Sequence, residues 1–318
     1  MADGAAAAAL SRRLPRLLLL LSALPPLAWI LLAQVGGWYP GELASHWTLQ
    51  AAILLLPGWI AVRHDARWGR IFLLAVVIAL LPWLRAAYLP RAQRIEAPQE
   101  RLVSAVTANL NVWNPRRQAL HDALRAGGCD FIGLAEVVPA DRALWQGDPL
   151  YPNQIWLGGD DHPSELAFLS RLRIVDSRIH DLGGVHVIDA LIDLGDGPLR
   201  IFMLHLSSPS STREWHSRNA ELAPLARLVQ AVQEPLLVMG DFNISPGDAV
   251  WQALLKASEL KPAPGHEPST WPSWLGPCGI AIDHLLVRGA GLDGVLAVEL
   301  PGSDHRGERG IVTVPMAR

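Results

Sequence analysis

Nine polar residues of this chain could do chemistry together: Asn109, Asn111, Glu136, His205, Asp241, Asn243, Asp283, Asp304 and His305. Carboxylates and carboxamides are hard oxygen donors of the kind that hold Mg²⁺ or Mn²⁺. A histidine beside an aspartate can move a proton or steady a phosphate near neutral pH. The densest piece is Gly240-Asp241-Phe242-Asn243, which closes the apolar run Leu236-Leu237-Val238-Met239. On an extended backbone Asp241 and Asn243 point one way and Phe242 the other, which sets a carboxylate beside a carboxamide at a sheet edge. Alone, this tetrapeptide is as readily an ordinary turn. Glu136 alone is as readily a surface glutamate, and Asp-His occurs three times, at 161–162, 283–284 and 304–305. The unusual feature is recurrence: one polar residue after another ends or interrupts an apolar strand. An unpaired buried carboxylate is costly there unless a metal or a substrate compensates.

Strands must position these residues. Residues 101–112 read as a strand that places Asn109 and Asn111 on one face. Asn114 and Pro115 read as the cap and first position of a helix that Gly127-Gly128 stop. Residues 130–137 form the next strand, with Glu136 near its end, and 165–170 another. Residues 185–194 pair through Gly195-Asp196-Gly197 with 199–206, a hairpin that delivers His205. Residues 212–233 have helical periodicity, which Pro224 is expected to kink or break. A helix at 248–257, a Pro-rich loop with Thr270-Trp271-Pro272, and strands at 279–287, 295–300 and 310–314 complete the chain, with loops at 158–163 and 302–306.

The first ninety residues have a different composition. Three uncharged or nearly uncharged stretches, about 17–35, 43–62 and 71–89, approach the ~20 residues a bilayer core requires. Trp29, Trp38, Trp47, Trp59, Trp68 and Trp83 fall mostly near their ends, as an interfacial belt would. A cleaved signal peptide would account for the first stretch but not for the two that follow. The expected organisation is a three-span membrane anchor over 1–90, a linker at 91–101, and a soluble domain over 102–318. Arg12, Arg13 and Arg16, with Arg63, Arg67 and Arg70 after the second span, put those segments in the cytoplasm and the domain on the extracytoplasmic (periplasmic) side of the inner membrane. Arg85, Arg91 and Arg94 speak against that orientation.

From Arg101 onward there are 18 Lys and Arg against 25 Asp and Glu, a balance of −7, whereas residues 1–100 carry 9 against 5. A domain dedicated to duplex DNA would show a basic footprint, and this one does not. Phosphate chemistry stays open, because a bound divalent cation supplies local positive charge. Cys129 and Cys278 permit one disulfide without implying it, and no Cys/His spacing resembles a zinc site. Cys129, ahead of an apolar strand, reads as a buried free thiol.

From Val103 to Val314 the order of motifs resembles the endonuclease/exonuclease/phosphatase superfamily. The motifs are Asn109-x-Asn111, Leu134-Ala135-Glu136, His205, Gly240-Asp241-Phe242-Asn243, Ile282-Asp283-His284 and Ser303-Asp304-His305. His205 places the likeness on the deoxyribonuclease- and sphingomyelinase-like branch, since abasic-site enzymes usually carry tyrosine there. The N-terminal helices resemble a bacterial membrane-anchored subgroup. The resemblance implies an α+β fold, a four-layer αββα sandwich of two packed mixed β-sheets flanked by helices, here preceded by three transmembrane helices. It implies a Mg²⁺- or Mn²⁺-dependent phosphoesterase in which Glu136, Asn109 and Asp304 hold the ion, with Asn111 nearby. Asp241 then orients or deprotonates the attacking water, Asn243 and His205 hold non-bridging phosphate oxygens, and His305 works with Asp283.

The chain departs from the family at Asn111, where some relatives have aspartate, which weakens a second metal site. It is short for the family, so long DNA-gripping insertions are not expected. Gly307-Glu308-Arg309 has no evident rationale at this level. The substrate class stays open among a lipid head group, a small phosphoester and a nucleic acid. The alternative is a catalytically inactive, membrane-tethered binding or scaffold module; a decayed site should lack one of Glu136, Asp241, Asn243, Asp283 or His305, and all are present. Arg213, Trp215 and Arg218 could also line a partner surface.

Overall fold

Two sets of strands with internal parallel pairs determine where the polar residues end up. A computed structural model describes residues 14, 17–35, 37–62, 66–87, 89–93, 99–158, 165–195 and 197–316. They fall into two compact units, residues up to Leu89 with Pro246–Ala249, and Pro90–Ser245 with Val250 onward.

The second unit is built on two six-stranded mixed sheets. The first contains β1 (Glu100–Asn109), β2 (Phe131–Val137), β3 (Asn153–Leu157), β4 (Glu165–Ser170), β11 (Gly291–Glu299) and β12 (Arg306–Pro315), in the order β11-β12-β1-β2-β4-β3. The second contains β5 (Ile174–Asp181), β6 (His186–Asp193), β7 (Pro198–His205), β8 (Leu236–Asp241), β9 (Lys261–Pro262) and β10 (Asp283–Arg288), in the order β5-β6-β7-β8-β10-β9. Phe131, Phe168, Ile188, Met203, Met239 and Leu285 from both sheets fill the space between them. Burial of these side chains drives the packing. On the outer face of the first sheet Leu120 and Leu124 of a helix (Arg117–Gly127) meet Val106, Ile132 and Trp145. The expected two-sheet sandwich with flanking helices is thus observed.

Each sheet has one parallel pair, β1 with β2 and β7 with β8. Parallel pairs need crossovers, and their carboxyl ends share one edge. The antiparallel neighbours β12 and β10 begin at that same edge. Six strand ends therefore meet there, carrying Asn109, Glu136, His205, Asp241, Asp283 and, one residue before β12, His305.

Several local expectations change. The helix expected after Asn114-Pro115 becomes regular only from Arg117 (Arg117–Gly127); Asn114 Oδ1 accepts from Arg116 N (2.7 Å), while its Nδ2 donates to the carbonyls of Leu110 and Pro301. Pro224 does not break the helix Thr212–Ala231. The carbonyl it leaves without an N–H belongs to Ala220, on the exposed side, where water can satisfy it. That helix opens at Ser211, whose hydroxyl accepts from Glu214 N. Strands β3 and β5 and the short helix Pro139–Trp145 are additions; β3 and β5 are edge strands with little buried surface, so their apolar pattern is weak. Cys129 and Cys278 are not joined in a disulfide, and burial pushes the Cys129 thiol up.

In the first unit the expected second span is interrupted. It runs as Tyr39–His46, Thr48–Leu54 and Leu56–Val62, leaving helical geometry at Trp47 (φ −113°, ψ 17°). Residues 71–87 of the expected third span (71–89) lie in the helix Ala66–Ala87, whose first turns carry Arg67 and Arg70, and Tyr88 lies outside the described residues. Among the described residues no single helix is long and apolar enough to cross a membrane; Tyr39–His46 with Thr48–Val62 pass together but bend by 67°. Three spans are therefore not seen. Arg12, Arg13, Arg16, Arg63 and Arg94, and the 158–163 loop beyond Gly158, lie outside the described residues.

Candidate functional site

Three of the four non-glycine residues with positive φ among the described residues are Asn111 (58°), Glu136 (56°) and Asn243 (53°), each at a strand end on the shared edge. Left-handed backbone is unfavourable for a side chain with a Cβ, and most so for residues that cannot bond locally. Its clustering marks an edge whose side chains are held by more than local preference. It also corrects the alternation argument for Asp241 and Asn243. The strand ends at Asp241, and Asn243 comes beside it through a turn in which Asn243 N donates to Asp241 Oδ1 (2.9 Å). Asn243 Nδ2 donates to the Leu206 carbonyl (2.9 Å), and the buried Arg218 donates from Nη1 to the Asn243 carbonyl (2.8 Å). Gly240 is required for the same approach. A Cβ there would lie 1.9 Å from the Leu204 carbonyl oxygen, at a φ of 147°.

One half of the site is a network of oxygens and amides. Asn109 Nδ2 donates to Glu136 Oε1 (2.9 Å) and to Asp241 Oδ2 (3.0 Å), while Val112 N donates to Glu136 Oε2 (3.1 Å). Asn111 N donates to Asn109 Oδ1 (3.0 Å), and Asn111 Nδ2 to Asp304 Oδ1 (2.8 Å). Ser303 Oγ donates to the Asn109 carbonyl (2.8 Å), tying the 302–306 loop to the end of β1.

The other half is a row of titratable groups. His205 stands directly opposite Asp241 in the β7–β8 pairing, and Asp241 directly opposite Asp283 in β8–β10, so all three share a face. His305 closes the row: Nδ1 lies 2.9 Å from Asp283 Oδ2, and Nε2 lies 3.8 Å from Asp241 Oδ2. His205 Nε2 lies 3.7 Å from the same oxygen. Burial and the like charge of Asp283 raise the pKa of Asp241. Burial opposes charge on His305, yet Asp283, and then Asp241 and Asp304, raise it to about 10. His305 is therefore an imidazolium at neutral pH, a hydrogen-bond donor and not a base.

Asp241, Asp283 and His305 lie close enough to share a cation. Proton sharing through the imidazole accounts for their proximity, because each carboxylate faces one ring nitrogen. The hard-oxygen set of Glu136, Asn109, Asn111 and Asp304 fits a divalent cation better, as it offers oxygens with no competing histidine. A second grouping, Glu42, His46 and Asp248, lies in the first unit.

All nine predicted residues lie at this edge. Arg213, Trp215 and Arg218 do not form a partner surface, since Trp215 and Arg218 are buried. Sequence reasoning passed over the positioning groups. Glu221 accepts from Ser207 N (3.0 Å) and Oγ (2.6 Å), holding the loop after His205, and Arg218 holds the turn after Asp241. Charged residues at i and i+3 within an apolar helix face were the available sign.

Glu308 now has an account. It is buried in β12 opposite Thr107, and burial, then the charges of Glu267 and Asp283, raise its pKa well above the carboxylate range. A raised folded pKa contributes stability that is complete below the unfolded value and is lost as pH rises. Glu308→Gln removes that loss. The variant should match wild type in acid and become more stable by up to about 1.4 kcal/mol per pH unit above the ordinary glutamate range. Thermal melts across pH check this, and a gap that does not widen with pH would contradict it.

A family model, described as the Endonuclease/Exonuclease/phosphatase family, matches residues 106–305. Among solved structures the chain is similar to humanized D. rerio TDP2, at 17% identity and TM-score 0.57, over 66% of this chain and 98% of that one. D. rerio TDP2 complexed with a single-strand DNA product gives 16% and 0.57, over 66% and 98%. A Bacteroides thetaiotaomicron protein of the same family gives 15% and 0.55, over 68% and 96%. A search of curated proteins gives no match.

Proposed function

The chain belongs to the endonuclease/exonuclease/phosphatase family, and from that premise we propose that it hydrolyses phosphate esters with the help of a divalent cation. The observation that carries this reading is the row His205–Asp241–Asp283–His305 lying against the Asn109–Glu136 oxygens at one sheet edge. Glu136, with Asn109, Asn111 and Asp304, would hold Mg²⁺ or Mn²⁺. Such a cation neutralises charge developing on phosphate and leaving-group oxygens.

The chain's own groups do the rest. Asp241, buried and facing both histidines, orients the attacking water and takes its proton. Asn243, fixed by Leu206 and the 241–243 turn, presents its remaining amide hydrogen to a non-bridging oxygen, and His205 faces the same space. His305 donates to the phosphate as charge builds, held in orientation by Asp283.

The Leu, Ile and Trp side chains exposed along residues 17–84 favour attachment to a membrane. We place the domain outside the cytoplasm, so that a reporter fused after Arg318 should be active only there.

The full chain, assayed with Mg²⁺ or Mn²⁺ on bis-p-nitrophenyl phosphate, single- and double-stranded DNA, RNA and phospholipids, tests the reaction class. Chelation and Glu136→Ala should each lower turnover by at least about 10²-fold. Equal turnover by wild type, Glu136→Ala and His305→Ala would remove the assignment.

A further inference from the structure

Among the described residues from 99 onward, the two most exposed large apolar side chains are Trp113 (87% exposed) and Trp274 (79%). Both stand at the mouth of the site. Trp113 follows Asn111 by two residues, and Asn111 bonds Asp304. Trp274 adjoins Ser273, which donates from N to the Asp304 carbonyl and from Oγ to that of Ser303. Both are displayed on fixed backbone. Asn114 N donates to the Asn111 carbonyl (2.8 Å) and Trp113 N to Asn111 Oδ1 (2.8 Å), while Leu275 N donates to the Pro272 carbonyl (3.1 Å). Trp271 Nε1 donates to Asp304 Oδ2 (3.2 Å) between them. Scattered exposed apolar residues need no explanation, but two indoles carried on fixed backbone at one active-site mouth do.

From this geometry we infer that the phosphoester is presented by a lipid bilayer, and that Trp113 and Trp274 seat the mouth in the headgroup layer. The inference rests on the phosphoesterase reading above. Indoles prefer that layer because their ring is apolar and their N–H is polar. A single-stranded nucleic acid would need stacking platforms and a cationic track beside them. Among the described residues at the mouth, Arg117 is tied to Asp141 and to the Asn111 and Val112 carbonyls, and Arg306 to Glu299 and the Ser269 carbonyl; the exposed Arg116, beside Gly302, is a single cation and not a track. The domain's −7 balance points the same way.

The test uses the full chain in liposomes of equimolar phosphatidylcholine and phosphatidylglycerol, with a divalent cation. Two probes share one reacting centre: hexadecyl p-nitrophenyl phosphate dissolved in the bilayer, and methyl p-nitrophenyl phosphate in water. Trp113→Ala/Trp274→Ala should lose about tenfold or more on the bilayer probe and stay within about twofold on the aqueous one. Trp113→Phe/Trp274→Phe should recover much of the loss. Equal losses on both probes, or none on either, would overturn the inference while leaving the hydrolase reading intact. So would a loss confined to thymidine p-nitrophenyl phosphate, which indicates stacking on a base. A wild type silent on every probe defeats the hydrolase reading and takes this one with it.

Discussion

The Asp241→Asn variant is expected to be nearly inactive and yet more stable than wild type at neutral pH. Both halves follow from one arrangement. Asp241 is buried, directly opposite Asp283, and faces His205 and His305 through the same oxygen. Loss of a positioned base in a dry site costs about 10²–10⁴ in rate, so kcat should fall by about 10³. The Asn243 N bond to Oδ1 survives the change, so the 241–243 turn is kept. Stability moves the other way. Burial and Asp283 raise the Asp241 pKa, so its contribution to stability is complete only in acid and declines as pH rises through the raised value. Asparagine carries no proton to lose. The variant's melting temperature should equal that of wild type in acid and exceed it at neutral pH, the usual opposition between a strained site and a stable one. Turnover of bis-p-nitrophenyl phosphate and melting at both pH values measure it. Activity within about tenfold of wild type would remove Asp241 from the chemistry.

The parts of this arrangement that were legible in the sequence are those where a local pattern and the tertiary demand agree. Leu236–Met239 is apolar because β8 is buried on both faces, and it stops where the chain reaches the edge. The polar residues closing β1, β2 and β7 stand out for the same reason. The rest depends on partners distant in sequence. Asn243 meets Asp241 through a left-handed turn that Arg218 holds from another element, which strand alternation cannot express. Pro224 stays helical because Ala220 faces water. Glu308 is anomalous until Asp283 of the second sheet and Glu267 of the loop after β9 come against it. A hydrophobic count over residues 43–62 cannot register the bend at Trp47.

Asp283→Asn tests whether the imidazolium of His305 is the working form. Asp283 Oδ2 lies 2.9 Å from Nδ1, and its charge is the foremost influence that raises His305 to about 10 against burial. Removing the charge leaves burial dominant, so His305 becomes neutral at a lower pH and loses its donor at Nε2. The rate at neutral pH should fall by about 10²–10³, and the alkaline limb of the pH–rate profile should move toward acid. Stability supplies an independent sign, measured with a chelator present. A histidine with a raised folded pKa contributes stability that is complete below the unfolded value of 6.5 and is lost as pH rises through about 10. The variant should therefore be most destabilised relative to wild type below pH 6.5, with the gap narrowing across that window. His305→Ala should lose activity to a similar degree, and Asp283→Asn/His305→Ala should be no worse than His305→Ala, because the pair acts as a unit. If the two losses instead multiply, Asp283 acts on something other than His305, and the row of four side chains must be divided differently.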